Sequence, residues 1–136
     1  MKFDTKIAVV LRDDLATWQQ LNMTAFLVSG IASTVPDITG ENYEDGSGRL
    51  YLPMFRQPVM VFGVTAEQLH ETYARTGVQD IKLAIFTEDL FATGHDEANR
   101  AAVKAVTSDG LSLTGLALWG NKKIVDQITK GLTLHR

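Results

Sequence analysis

A continuous apolar run, KIAVVL over residues 6–11, ends at Arg12, Asp13 and Asp14. Such a run suits a strand covered on both faces by helices. Residues 15–33 follow without proline and with Gly30 as their one glycine. Leu15, Trp18, Leu21, Ala25, Val28 and Ala32 recur at helical spacing, and Phe26, Leu27 and Ile31 widen the stripe. That breadth predicts a largely buried helix. Residues 34–57 are the least regular, with Pro36, Gly40, Gly46, Gly48 and Pro53. Within them, 41–48 is expected to be an exposed loop and 49–55 a short edge strand limited by Pro53. Residues 59–64 make a second buried strand. Thr65-Ala66-Glu67-Gln68 matches a capping box, opening a helix with Ala66, Leu69 and Tyr73 inward. Gly77 is expected to close it in the left-handed conformation. A third strand spans 81–86, and 87–95 reads as a polar loop. Asp96 is expected to cap a helix whose Ala98, Ala101, Ala102 and Ala105 offer a small-residue face for a sheet. After an Asp109-Gly110 turn, 113–119 form a fourth strand. Asn121 caps a last helix bearing Ile124, Val125 and Ile128, and Gly131 ends it.

The order β-α-β-α-β-α-β-α predicts a three-layer α/β/α domain over residues 1–136, with a mostly parallel or mixed four-stranded sheet and right-handed crossovers. At 136 residues the chain matches the size of one domain. It has no cysteine, which excludes disulfides and thiol catalysis. The N-terminal apolar run is short and bounded by charges, unlike a signal peptide, and no run approaches a membrane span. A cytoplasmic location and no membrane partner are expected. The net charge is −3, and the densest basic group is Lys122, Lys123 and Lys130. Nucleic acid is disfavoured as a partner, because phosphate contacts dominate such binding.

Three stretches resemble the peptidyl-tRNA hydrolase II family. They are VVLRDDL (9–15), RQPVMVFGVTAEQLHETYARTG (56–77) and LTGLALWGNKKIVDQITKGLTL (113–134), in the same order and spacing. A longer motif, FTEDLFATGHDEANRAAV (86–103) followed by GLALWGNKKIVDQ (115–127), is similar to an uncharacterised bacterial family, family 2000 of the domains of unknown function. The first resemblance implies a peptidyl-tRNA hydrolase II-like fold and, since that family forms homodimers, a homodimer. The hydrolase, however, has a lysine at the start of its first helix and a histidine inside it, and 15–32 contains neither. Where the hydrolase carries Asp-Ala-Gly-Arg-Thr, this chain has Thr87-Glu88-Asp89-Leu90-Phe91, so that Glu88 or Asp89 falls near the family's aspartate. Loss of the lysine removes a fixed charge suited to a phosphate or an oxyanion. Fold alone does not restore an activity.

In open α/β sheets ligands bind beyond the carboxyl ends of strands. The polar residues there concentrate in Arg12-Asp13-Asp14 and in residues 87–99. The candidate ligand site joins Arg12, Asp13, Asp14, Thr87, Asp96, Asn99 and Arg100, with Trp18 and Asn22 of the first helix expected to line it. Glu88, Asp89 and His95 are the candidate catalytic groups, His95 as a base oriented by a neighbouring carboxylate. The plainer reading of Asp96 and Glu97 is cap chemistry, with His95 in solvated loop. Asp13, Asp14, Glu88 and Asp89 suit a hard cation only if they converge, and no metal or cofactor is expected. Arg12 and Arg100 either grip an anion together or form separate salt bridges. His70 is expected to be exposed, His135 to lie in the tail, and Trp18 and Trp119 to be core. A binding or regulatory domain is the first functional reading. A small-molecule enzyme built on 87–99 is the second, and a divergent peptidyl-tRNA hydrolase the third.

Overall fold

The computed structural model describes residues 3–136. Its main sheet orders five strands: β5 (Ile81–Thr87), β6 (Leu113–Asn121), β1 (Thr5–Arg12), β4 (Val59–Val64) and β7 (Thr133–Leu134). β1 and β4 run parallel, with Ile7 opposite Val59 and Arg12 opposite Val64. The pairs β1–β6, β5–β6 and β4–β7 are antiparallel. The sheet is therefore mixed, with five strands where the hydrophobic pattern gives four. The added strand β7 has two residues, too short for a periodicity signal. Gly131, at φ 85°, turns the chain back to it after α4 (Lys122–Ile128).

The sequence of β1 explains the three layers. Ile7, Val9 and Leu11 point to one face, where they meet Met23, Leu27 and Ile31 of α1 (Thr17–Thr34). Ala8 and Val10 point to the other, among Leu69 of α2 (Ala66–Thr76) and Val125 and Ile128 of α4. A strand buried on both faces has no polar side to alternate, which is why it reads as an unbroken run. Gly115 in β6 faces α1. A Cβ there would lie 2.7 Å from Met23 Sδ and 3.2 Å from Leu11 Cδ2, so the missing side chain lets the helix approach.

Thr65 caps α2 as expected, with its Oγ1 accepting from Gln68 N–H and Gln68 Oε1 accepting from Thr65 N–H. Asn121 Oδ1 likewise accepts from Lys123 N–H at α4. Other expectations need correction. Gly77 is right-handed (φ −57°), since a tight turn onto Ala74 O ends α2. The stretch 41–55 is not a loop followed by an edge strand of the main sheet. It is a separate hairpin of β2 (Tyr43–Glu44) and β3 (Leu50–Tyr51), held at its turn by Asp45, whose side chain accepts from Ser47 N–H, Arg49 N–H and Tyr51 Oη. Residues 88–91 form a 3₁₀ turn, and α3 (Asp96–Lys104) is capped by His95 rather than Asp96. α3 buries no residue and packs on that turn instead of the sheet. Without a helix crossing the sheet, β5 and β6 are free to pair antiparallel. Finally, α1 is only half buried. Trp18, Leu21 and Phe26 on its outer side are 62%, 68% and 54% exposed.

Candidate functional site

β1 ends at Arg12, and the segment after β5 begins at Glu88, so the antiparallel arrangement through β6 brings these positions together. Arg12 Nε and Nη2 donate to the two oxygens of Asp14 at 3.0 and 2.9 Å, and Nη1 donates to Glu88 Oε1 at 2.8 Å. These bonds raise the guanidinium pKa further and lower that of Asp14, whose largest cause is the Arg12 hydrogen bond. Arg12 thus has its fork occupied within the protein. Arg100 pairs with Asp96, one turn away on α3, so the two arginines do not converge on a shared anion. Asp89 is exposed beside Glu88. Among the described residues no group of three or more His, Asp or Glu side chains is arranged to hold a metal ion.

Thr87 occupies the bulge where β5 slips against β6. It is 2% exposed, and its Oγ1 has no hydrogen-bond partner. Its side chain therefore belongs to the interior.

Trp18, Asn22, His95, Asp96 and Asn99 do meet. They line a cleft of about 390 Å³ between α1 and residues 90–99. Its apolar wall is a ladder of rings: Trp18 edge-on to Phe91 (6.3 Å), Phe91 tilted on Phe86 (4.9 Å), and Phe86 edge-on to Phe26 (6.0 Å). Quadrupoles favour such tilted pairs over flat sandwiches. The polar side is biased toward donors. His95 Nδ1 accepts from Ala98 N–H at 3.3 Å, which leaves the hydrogen of a neutral ring on Nε2. Asn99 Oδ1 accepts from Thr93 Oγ1, which leaves its NH₂ available. Asp96 is engaged by Arg100. With its Nδ1 lone pair committed, His95 is placed as a hydrogen-bond donor rather than a base.

Asp13 meets Gly63, Gln68 and His135 rather than the residue 87–99 segment. β1 and β4 are adjacent and parallel, yet α1 and α2 leave them on opposite faces, which opens a crevice at their carboxyl ends. β7 delivers His135 there. Its N–H donates to Val61 O at 2.8 Å, its ring lies against Gly63, and its Nε2 donates to Gln20 Oε1. Gln20 is 9% exposed and its amide is oriented by an Nε2–H bond to Leu15 O at 2.8 Å. His135 and Arg136 line a cavity of about 340 Å³ with Thr17 and Gln20. The front of α1 therefore meets an imidazole supplied from 115 residues away rather than from the helix itself. Asp13 lines a second cavity with His135, on the far side of Gly63. The one signal in the sequence was Gly63, a glycine inside an apolar strand, which often marks a close approach.

No helix among the described residues is long and apolar enough to cross a membrane. Among curated proteins none matches the chain significantly. A solved structure of a protein of unknown function, Atu0240 from Agrobacterium tumefaciens strain C58, is 48% identical and superposes with a TM-score of 0.95, covering 99% of this chain and 100% of that one. The family model described as "Protein of unknown function (DUF2000)" matches residues 5–136, and the chain belongs to that family.

Proposed function

We propose that this protein is a small-molecule-binding domain whose ligand is a planar heteroaromatic compound bearing hydrogen-bond acceptors. The observation that carries this reading is the cleft beside Trp18. It combines a ladder of four rings with the amides of Asn22 and Asn99 and the Nε2–H of His95. At about 390 Å³ it falls in the range of small-ligand sites. Catalysis at residues 87–99 is less supported. Glu88 is engaged by Arg12, Asp89 stands outside the cleft lining, and His95 presents a donor. The motifs shared with the peptidyl-tRNA hydrolase II family support a related fold. The net charge of −3 weighs against a polyanionic substrate.

Thermal-shift measurements with nicotinamide, adenosine and indole test the reading. A compound at a hundred times its dissociation constant adds about 2.7 kcal/mol of stability. At least one of the acceptor-bearing compounds is expected to raise the melting temperature of the wild type but not of Trp18→Ala. A shift that survives Trp18→Ala, or no shift with any of the three, contradicts it.

A second copy of the chain is the proposed partner. An 18-residue helix with no charged side chain that leaves Trp18, Leu21 and Phe26 exposed is apolar on the wrong side for a monomer. A homodimer through this face would also wall the open side of the cleft, which shares Trp18 and Phe26.

A further inference from the structure

We infer that the cavity at the carboxyl ends of β1 and β4 is a second ligand site, for a small carboxylate with an apolar body. Its lining is apolar at Leu11, Leu21 and Val61 and basic at His135 and Arg136, with no acidic side chain. That separates it from its neighbours in an acidic protein. The cleft beside Trp18 carries Asp96, the groove beside Arg12 carries Glu67 and Glu71, and the cavity across Gly63 carries Asp13.

Hydrogen bonds fix the polar wall of this cavity. Leu15 O holds the Gln20 amide with Oε1 toward His135 Nε2. His135 Nδ1 stands 2.8 Å from the main-chain oxygen of Arg136. Asp13 is the acidic side chain lining the adjoining cavity across Gly63, and Arg12 is already paired with Asp14 and Glu88. The Arg136 guanidinium makes no hydrogen bond or salt bridge to another described residue, so its planar fork is open to a carboxylate. The volume, about 340 Å³, suits a body of several carbons against Leu11, Leu21 and Val61.

Amide-resolved NMR titration of the full chain tests this site independently of the Trp18 cleft, because both report in the same spectra. Hexanoate is expected to give saturable shifts at the Gln20 side-chain amide and at Thr24, leaving Asn22 and Asn99 in place. Its dissociation constant should be at least tenfold lower than that of acetate, which lacks the body, or hexan-1-ol, which lacks the charge. Arg136→Gln, at an exposed position, should weaken hexanoate at least fivefold with the spectrum otherwise retained. Equal binding of hexanol or inorganic phosphate, shifts confined to the Trp18 cleft, or an unchanged constant in Arg136→Gln overturns the inference.

Discussion

Arg12 Nη1 donates to Glu88 Oε1 at 2.8 Å, tying the end of β1 to the first residue after β5 across 76 positions of sequence. The Arg12 side chain is 16% exposed while Glu88 and Asp14 are 57% and 58% exposed, so water screens the carboxylates more than the guanidinium. A double-mutant cycle with Arg12→Leu and Glu88→Gln, read by urea unfolding, should give a coupling of about 0.5–1 kcal/mol. Zero coupling would mean that the bond does not persist in solution.

Acid should loosen the same corner. The Asp14 pKa is lowered in the folded state by its bond to Arg12. Its stabilising contribution is therefore complete above the unfolded value of about 3.9 and is lost as pH falls through the lower folded value. Wild-type stability should fall more steeply below about pH 4 than that of Asp14→Asn, by on the order of 1 kcal/mol or less given its exposure. Parallel acid profiles would contradict the assignment.

The orphaned Thr87 hydroxyl predicts a stabilising substitution. A buried polar group without a partner costs about 1–3 kcal/mol, and valine keeps the shape without the hydroxyl. Thr87→Val should raise stability by about 1 kcal/mol in calorimetry. A loss of stability would show that the hydroxyl is satisfied.

Gly115→Ala should have the opposite sign. Its Cβ would press on Met23 Sδ at 2.7 Å. Overpacking of this kind costs about 1–3 kcal/mol. Met23→Val should recover part of that loss in the double variant, and additive effects would place the strain elsewhere.

The apolar outer face of α1 predicts self-association. Sedimentation should give a dimer for the wild type. Ala25→Glu, on that exposed face and outside the cleft lining, should give a folded monomer. A monomeric wild type contradicts the proposed partner.

The strands and helices of the α/β frame were legible because burial on two faces writes unbroken apolar runs such as residues 6–11, and because caps such as Thr65 and Asn121 are local chemistry. Tertiary pairing was not. β7 is two residues long, β5 runs antiparallel because α3 stays off the sheet, and the hairpin is set by Asp45 rather than by hydrophobic pattern. The site divided along the same line. Helix spacing and loop polarity are local signals, and they suffice to group Trp18 and Asn22 with His95, Asp96 and Asn99. Thr87 is interior because a bulge turns it inward, and His135 reaches Gln20 only through β7, which is too short to leave a periodicity signal.

The most direct measurement of the proposed ligand cleft is an NMR titration with nicotinamide, following the Trp18 indole N–H and the side-chain amides of Asn22 and Asn99. Saturable shifts at all three with one dissociation constant, abolished in Phe91→Ala, are the predicted result. Unmoved signals at all three up to millimolar nicotinamide, and again with adenosine, would contradict the account.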